Sequence, residues 1–525
     1  MSASHSQMPQ ASLAKHLNSK RVLVAVCLVI LAIITIRFYH MSVTGFMLSD
    51  ESYYYDAIVL DHEMFQNREL FSAIYMLFFG GVNNMFSLAV VGAIYASVWG
   101  IGSAFLIYLV ARRLGTTDQQ VSLLLGSMLL LPVFIIMLPT FTTETMALFF
   151  ALIGIFFASR FHQCGRWTDA LVSSLAFVAA FRTREPYLVF GLANLLGVLI
   201  SNKRSVRSFL AFLIPLVLVF PVGVSFWPVQ FAQPLYAYLL HPWFATPSSS
   251  SLPSSGPLPP PDTPSLLYAF AIGLLFGYDP ILGVLVVISL FLAVGSVWRK
   301  RTAANGLPTL NALAGLAAYA GALTYLVYPA SGLIPIWTSA AVRATHASLP
   351  TVFTLNHAYS KIGTKKIIAV LLILVIAGAT QLPIMSQAIQ SNLTRTGAAI
   401  DRLNLDYRAP YHRLCELAKE SGKTIVFALN LRGARVCLSM LPNAVATRVP
   451  ANQSTFDALL AEGWNTIYLY DDYFTVVDPS SLQMYPEYYR DILISQSYAG
   501  YAIETLWVDG ESYAFKMTPV ATTQT

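Results

Sequence analysis

Long apolar runs separated by short polar turns fill most of the chain up to about residue 390. A helix needs about 20 mostly apolar residues to cross the roughly 30 Å hydrocarbon core of a bilayer. The runs have about that length, so the pattern predicts eleven transmembrane helices within residues 21–390. We place them at 21–39, 85–111, 121–138, 145–159, 169–183, 187–201, 208–228, 279–298, 308–328, 347–360 and 367–385.

The segments outside these spans have patterns of their own. The first span is long and no small-residue cleavage site follows it, so we expect a retained helix after a cytoplasmic tail, residues 1–20. The apolar stretches 70–79 and 265–277 are too short to span and are typical of amphipathic helices in the membrane interface. Residues 229–264 are rich in Pro and Ser, a composition that cannot bury a core. They form either a loop that orders when substrate binds or a passive tether.

From about residue 400 the apolar runs shorten, and helix and strand patterns alternate. Helices are indicated at 414–418 and 456–461, and strands at 423–429 and 465–470. A terminal hairpin is indicated around Asp-Gly-Glu at 509–511. The alternation predicts a small α/β domain over 400–525. It contains neither a Gly-rich phosphate loop nor a nucleophile elbow, so we expect it to serve recognition or support.

Composition agrees with a membrane protein. Hydrophobic residues make up 56% of the 525 positions, charged residues only 11%, and the mean hydropathy is +0.60. A soluble domain usually carries about 25% charged residues. The net charge of +6 comes from short basic loops and not from a continuous basic stripe, which argues against nucleic acid as a partner. The fold class predicted is therefore an α-helical polytopic membrane protein with a small C-terminal α/β domain.

The basic residues also predict the orientation of the chain. Alternate segments between spans (15–21, 112–113, 160–166, 203–207, 299–301 and 361–366) hold sixteen Lys and Arg residues. The opposite segments, before the terminal domain, hold only Arg37, Arg68, Arg182, Arg184 and Arg343. Cytoplasmic loops carry the excess of Lys and Arg, so the N-terminus is placed inside. An odd number of spans then places the C-terminal domain outside.

Ionisable side chains gather at the predicted outer ends of the spans. They are Asp50, Glu51 and Arg68 in the first outer loop, Glu144 at the start of the fourth span, Arg182 and Arg184 after the fifth, and Arg343 and His346 late in the chain. Charges in or beside a membrane span cost free energy, so they are usually paired or functional. Their placement on one side of the membrane predicts a site there.

These motifs resemble those of the C-type membrane glycosyltransferases, above all the branch of protein O-mannosyltransferases and the bacterial lipid A aminoarabinose transferase. Asp50 and Glu51, followed by aromatics, are similar to the family's first-loop pair, and Glu144 stands at its second acidic position. Phe-Arg-Thr-Arg-Glu-Pro at 181–186 resembles a basic-then-proline motif, and Arg343 before Pro350 resembles a late Arg. The chain departs from the branch at 67–70, where Asn-Arg-Glu-Leu lacks the family's prolines.

The resemblance implies a fold and a reaction. Over residues 20–390 it implies a C-type helical fold, a polyprenyl-phosphate-sugar donor, and a glycan, lipid or protein acceptor at the outer face. A carboxylate is the usual base for glycosyl transfer, and we assign that role to Asp50, with Glu144 and Glu51 as further catalytic candidates.

The remaining candidates would bind substrate. Guanidinium groups suit a leaving phosphate, which makes Arg184 and Arg343, then Arg182 and Arg68, candidates for the carrier phosphate. Tyr54 and His346 are candidates for sugar or acceptor contacts. No cofactor or metal is required, although Glu144 and Glu51 could hold a divalent ion.

Each residue also has a simpler interpretation. Asp50 and Glu51 could cap a helix over 51–60, and Glu144 could sit at a helix N-terminus because the helix dipole favours it. The arginines could extend to lipid headgroups. His346 could be a hydrogen-bonded interfacial residue, and Tyr54 part of an aromatic belt. A functional site is favoured because all of these residues are placed on the same side of the membrane, at the ends of different spans.

Two other functions remain open. A secondary transporter or lipid flippase would be expected to place ionisable residues near the membrane midplane and to contain repeat halves, neither of which we find. A polysaccharide ligase or polymerase would have a large late outer loop, and here that loop is short. The sequence leaves open whether Cys415 and Cys437 pair, which an oxidising compartment would permit. We expect a bacterial inner membrane, because the chain has no C-terminal retrieval signal.

The charge asymmetry yields a direct test of topology. Single cysteines at 112–118, 202–207 and 299–306 should react only with reagents that reach the cytoplasm, and cysteines on the surface of 400–525 only with reagents outside. Cytoplasmic labelling of the C-terminal domain would contradict both the orientation and the reaction inferred from it.

Overall fold

The structure is a computed structural model, and it describes most of the helical part and most of the C-terminal domain. The described residues are 18–44, 54–65, 68–114, 117–129, 131, 134, 137–138, 140, 142–201, 205–223, 280–300, 303–327, 345–355, 376, 410–428, 432–471, 485–508 and 512–520. Asp50, Glu51, Arg343, the Pro/Ser-rich segment 229–264, the stretch 265–277 and nearly all of the span at 367–385 lie outside them.

The apolar runs form helices close to the predicted positions. The α-helices of this part are α1 Ser19–Thr44, α2 Glu69–Phe79, α3 Met85–Arg113, α4 Asp118–Leu129, α5 Thr143–Cys164, α6 Trp167–Phe181, α7 Leu188–Ile200, α8 Val206–Gly223, α9 Pro280–Lys300 and α10 Ala303–Val327. Within the described residues, three helices are long and apolar enough to cross a membrane, namely Ser19–Ile36, Met85–Arg113 and Thr143–Cys164. The fold is mostly helical as expected, and the count of eleven spans stays a prediction.

Three predicted elements differ from the observed ones. The span at 121–138 is not one helix, because α4 ends at Leu129, and Pro132 disfavours helical backbone at the residue before it. The described part of the span at 347–360 belongs to a 3₁₀-helix, Thr345–Thr354, that contains Pro350. The described part of the helix at 51–60 is a π-helix, Tyr55–Leu60.

Helices α5 and α6 form an antiparallel hairpin that positions the candidate site. They are joined by two residues, and Gly165 ends α5 in the left-handed conformation with φ of 71°. Halfway along, the Ser173 hydroxyl donates to the Gly154 carbonyl at 2.8 Å. A Cβ added to Gly154 would lie 2.6 Å from the Phe177 ring, so the two helices approach as closely as a glycine permits.

The C-terminal domain is a five-stranded sheet with helices on both faces. Its elements are α11 Pro410–Glu420, β1 Thr424–Ala428, α12 Arg432–Leu438, β2 Ala444–Arg448, α13 Gln453–Leu460, β3 Thr466–Asp471, α14 Glu487–Ser495, β4 Tyr501–Val508 and β5 Tyr513–Pro519. The strand order is β2-β1-β3-β5-β4, with β1 parallel to β2 and β3, and β5 antiparallel to β3 and β4. The predicted α/β architecture and terminal hairpin are therefore present.

Alternation along the central strands divides the domain core in two. Phe427 and Leu469 point to one face, where they pack with residues of α13 and α14. Val426 and Tyr468 point to the other face, where they pack with α11 and α12. On this second face Cys415 of α11 and Cys437 of α12 form a disulfide, which answers the question that the sequence left open.

The sequence pattern missed three elements of this domain. They are α12, β2 and α14. The first is only seven residues long, and the second is an edge strand, Ala-Val-Ala-Thr-Arg, whose mixed burial gives no clear alternation. Short elements of this kind are stabilised by their neighbours in the sheet more than by their own sequence.

The chain divides into two compact units. The first comprises Met1–Ile34, Phe65–Phe71 and Tyr95–Ile389. The second comprises Thr35–Met64, Ser72–Ile94 and Gln390–Thr525. The described part of the first loop, up to Met64, thus belongs to the same unit as the C-terminal domain.

The close approach in the α5–α6 hairpin predicts the effect of a single methyl group. Gly154→Ala should lower the melting temperature of the purified protein, because overpacking of this kind costs about 1–3 kcal/mol. Gly126→Ala in α4 is the matched control, since a Cβ there meets no atom within 4 Å and alanine favours a helix. Equal melting temperatures for the two variants would contradict the packing described.

Candidate active site

A buried ion pair joins the two open ends of the α5–α6 hairpin. Glu144 lies in the first turn of α5 and is 2% exposed, and Arg184 follows α6 and is 8% exposed. Arg184 Nη1 lies 3.1 Å from Glu144 Oε1 and donates to the Thr143 hydroxyl at 2.8 Å. The Thr143 hydroxyl donates in turn to Glu144 Oε2 at 3.3 Å. Two of the predicted site residues thus form one network with Thr143.

Local sequence explains why these side chains meet. A carboxylate in the first turn of a helix is favoured by the helix dipole, which suits Glu144. Beyond Phe181 the backbone leaves the α-helix, and Arg184 is extended with φ of −156° and ψ of 124°. Pro186 then opens a short 3₁₀ turn, Glu185–Tyr187, before α7 begins. The helix dipole, which was the simpler interpretation of Glu144, explains why a carboxylate is favoured at this position. It does not explain why Glu144 is buried and paired with the guanidinium of Arg184.

His346 lies beside this network. It is 1% exposed, and its Nδ1 lies 3.5 Å from the hydroxyl of Tyr187, which is fully buried. The charges of both Glu144 and Arg184 act on the imidazole. Its Nε2 is buried with no hydrogen-bond partner among the described residues. A buried polar atom of this kind normally has a partner, and the described residues do not supply one for Nε2.

Arg68 and Arg182 make crossed ion pairs between two short segments. Arg68 donates from Nε and Nη2 to the two carboxylate oxygens of Glu185, at 2.9 and 3.1 Å. Arg182 Nη1 donates to both carboxylate oxygens of Glu69, at 3.0 and 2.9 Å. Each segment supplies one arginine and one glutamate, so the pairs connect the start of α2 to the turn after α6.

All three described arginines of this region have a carboxylate partner. Arg68 pairs with Glu185, Arg182 with Glu69 and Arg184 with Glu144, so none is the lone guanidinium that a phosphate site would most simply contain. A guanidinium has five N–H donors, and an ion pair with one carboxylate does not use all of them. Arg184 can therefore bind a second anion while keeping Glu144, whereas Arg68 already forks onto Glu185 through Nε and Nη2 and Arg182 contacts both oxygens of Glu69 through Nη1.

The described residues of the first loop up to Met64 belong to the second unit. Tyr54 is 3% exposed and its ring packs edge-on against Tyr75, so it is part of the core there. Arg435 of α12 forms a two-pronged ion pair with Asp61, with Nη1 2.7 Å from Oδ2, and its Nη1 also lies 3.0 Å from Asp56 Oδ1. Burial raises the pKa of Asp56 to about 6 although Arg435 opposes the shift, and the Arg435 hydrogen bond lowers the pKa of Asp61.

Several site residues were not identified from the sequence. Thr143, Tyr187 and Glu185 are partners of the predicted residues, and Arg435 comes from a different domain of the chain. One signal was available: an arginine and a glutamate stand close together in both segments, Arg68 with Glu69 and Arg182 with Glu185, and these four residues form the crossed pairs. No pattern in the sequence connects Arg435 to a loop 374 positions away.

The described part of the chain contains no obvious binding site for a resident metal ion. No group of three or more His, Cys, Asp or Glu side chains is arranged there to hold an ion. Glu51, one of the two carboxylates considered for a metal, lies outside the described residues.

Comparison with known proteins gives one family profile and several solved structures that match this chain. The profile of the dolichyl-phosphate-mannose-protein mannosyltransferase family matches residues 70–227, a range that includes Glu144, Arg182 and Arg184. No curated protein matches the chain.

Solved structures share its fold at low sequence identity. ArnT from Cupriavidus metallidurans in the apo state has a TM-score of 0.53 and 10% identity, over 93% of this chain and 97% of ArnT. The same protein bound to undecaprenyl phosphate has a TM-score of 0.51 and 10% identity, over 95% and 98% of the two chains. The resemblance to C-type membrane glycosyltransferases is therefore confirmed at the level of the fold.

Proposed function

We propose that this protein is a membrane glycosyltransferase that takes a sugar from a polyprenyl-phosphate carrier and transfers it to a glycan, lipid or protein acceptor at the outer face of the membrane. The observation that carries the proposal is the buried network of Glu144, Thr143 and Arg184, with the unpartnered Nε2 of His346 beside it. It lies in a fold that ArnT shares, and ArnT has been solved with undecaprenyl phosphate.

The chemistry of the network suits a departing phosphate. Glycosyl transfer breaks the bond between the anomeric carbon and a phosphate oxygen, and negative charge grows on that phosphate as the bond breaks. A guanidinium held in place by a buried carboxylate needs no reorganisation to stabilise this charge. Arg184 is our main phosphate ligand, together with Arg343. Glu144 fixes the direction of Arg184, and His346 Nε2 is a candidate for a hydrogen bond to the sugar or acceptor.

The reaction balances without a cofactor. An oxygen or nitrogen of the acceptor attacks the anomeric carbon, and the carbon–oxygen bond to the phosphate breaks. The polyprenyl phosphate leaves as an anion, and the acceptor's proton passes to the carboxylate of Asp50 as general base. Glu51 and Arg182 remain secondary candidates. Arg68 is assigned to its pair with Glu185, and Tyr54 to packing.

Localisation is part of the proposal. The basic asymmetry supports a cytoplasmic N-terminus and a C-terminal domain outside, in a bacterial inner membrane. The Cys415–Cys437 disulfide is consistent with this placement, because disulfides persist in oxidising compartments outside the cytoplasm.

Arg184 can be compared with a matched control at the opposite end of the same hairpin. Arg160 Nε lies 3.4 Å from Asp169 Oδ1, so Arg160→Ala and Arg184→Ala each leave one buried carboxylate without its arginine. Arg184→Ala should weaken binding of polyprenyl phosphate about ten- to a hundredfold, the loss of roughly 1.5–3 kcal/mol for a charged hydrogen bond. Arg184→Lys should restore only part of the lost affinity, because a lysine ammonium lacks the two-pronged geometry with which a guanidinium binds phosphate oxygens.

Binding is measured as the rise in melting temperature with added polyprenyl phosphate. Arg160→Ala should keep the wild-type rise even if the variant is less stable, and it should keep its rate of sugar transfer. Equal losses of binding in the two alanine variants would mean that Arg184 is only structural.

Asp50→Asn should abolish turnover and leave carrier binding nearly unchanged. The substitution preserves shape and removes the base, a loss that typically slows a reaction about 10²–10⁴-fold. Glu63→Gln is the control, since Glu63 is an exposed carboxylate of the same loop. Sugar transfer from a polyprenyl-phosphate donor is followed with purified protein, and near-normal turnover of Asp50→Asn would place the base elsewhere.

A further inference from the structure

Tyr187 and His346 are both buried beside the network of Glu144 and Arg184. Tyr187 ends the short 3₁₀ turn, is fully buried, and stacks on Phe190 with ring centres 5.6 Å apart. His346 is the second residue of the 3₁₀-helix Thr345–Thr354, which packs against α10 and α5. Neither ring faces water, so the 3.5 Å contact between the Tyr187 hydroxyl and His346 Nδ1 is set by the packing of these two segments.

The buried imidazole of His346 is uncharged. Burial disfavours the charged form of an imidazole, because that form loses more solvation than the neutral one. The charges of Glu144 and Arg184 both act on the ring, but these two groups pair with each other and offer no net negative charge to offset that cost. A neutral imidazole has one ring nitrogen that donates a hydrogen bond and one that accepts. The role of Nε2 therefore follows from the role that Nδ1 takes.

The acidity of the two groups favours one direction for their contact. A phenol gives up a proton more readily than a neutral imidazole does, and an imidazole nitrogen accepts a proton far more readily than a phenol oxygen. The favoured arrangement has the Tyr187 hydroxyl as donor and His346 Nδ1 as acceptor. At 3.5 Å the contact is long, but hydrogen bonds in active sites often shorten when substrate binds. The second ring nitrogen, Nε2, is buried, and the described residues supply no partner for it.

We propose that Tyr187 is a positioning residue: its hydroxyl donates to Nδ1 of His346, which places the imidazole proton on Nε2 and makes Nε2 a hydrogen-bond donor to an oxygen of the sugar or acceptor. This proposal rests on the function proposed above. It assigns His346 one of two roles that an imidazole can have, because an Nε2 that already carries a proton cannot take the proton of the attacking group. The group that Nε2 binds is then an oxygen with a free lone pair, and the base remains a carboxylate.

Nitrogen NMR of isotope-labelled histidine reads the tautomer in the complete protein. Protonated and unprotonated ring nitrogens differ widely in chemical shift, and the signals of His346, one of nine histidines, are those missing from His346→Gln. The wild type should carry the proton on Nε2. Tyr187→Phe should shift the signals towards a mixture of the two tautomers, whereas Tyr95→Phe should leave them unchanged. Tyr95 is the matched control, because its buried hydroxyl contacts the sulfur of Met146 instead.

Binding and transfer locate the oxygen that Nε2 contacts. His346→Leu removes the donor and should lower kcat/KM for sugar transfer about two- to tenfold, the usual effect of one uncharged hydrogen bond. His346→Gln should recover part of this loss, because its amide nitrogen can also donate. A raised KM for the carrier-linked sugar places the oxygen on the sugar, and a raised KM for the acceptor places it there. Binding of polyprenyl phosphate itself should stay at the wild-type level in His346→Leu, unlike in Arg184→Ala.

Several outcomes would overturn the proposal. A proton on Nδ1 in the wild type, or unchanged signals in Tyr187→Phe, would show that Tyr187 does not set the tautomer, and this comparison does not require His346→Leu to fold. Unchanged transfer by His346→Leu would remove the contact with substrate. Weaker binding of polyprenyl phosphate in that variant would place the contact on the phosphate instead. A wild type that carries the proton on Nε2 under the control of Tyr187, yet transfers no sugar, would refute the proposed function and not the tautomer.

Discussion

The need to pair every buried charge governs the arrangement of the helical part that the structure describes. Glu144 and Arg184 are both almost fully buried, and removing either from water alone would cost several kcal/mol. Their pairing makes burial possible, and it fixes where the start of α5 and the turn after α6 must lie. The Arg160–Asp169 pair does the same at the other end of the hairpin. Between them, Gly154 allows the two helices close contact, so the hairpin is held at both ends and the middle.

A paired guanidinium is also a better phosphate ligand than a lone one. A lone arginine in a buried site would be costly before substrate arrived and free to move. Arg184 is held by Glu144 and Thr143 and still has donors for another anion. In the proposed reaction the electrostatic effect of such a group is large, because it is already oriented when charge develops on the leaving phosphate. The crossed pairs of Arg68 and Arg182 connect the residues on both sides of Arg184 to the start of α2.

The C-terminal domain takes its shape from strands buried on both faces. Phe427 and Leu469 serve one core, Val426 and Tyr468 the other, and the disulfide strengthens the second. This rigidity matters because the domain holds the described part of the first loop through Arg435.

The amino-acid sequence by itself determined the helical class, the positions of most helices, the α/β character of the last 120 or so residues, and the gathering of Glu144, Arg182, Arg184 and His346 into candidates. Those features depend on apolar periodicity and on the free-energy cost of placing charge beside a membrane, which act locally along the chain. The tertiary structure alone decided the partners. Arg184 pairs with Glu144, Arg68 with Glu185 and Arg435 with Asp61 because folding brings together residues 40, 117 and 374 positions apart. Short elements such as α12 and β2 likewise form because neighbouring strands and helices stabilise them. The local sequence pattern does not indicate this stabilisation.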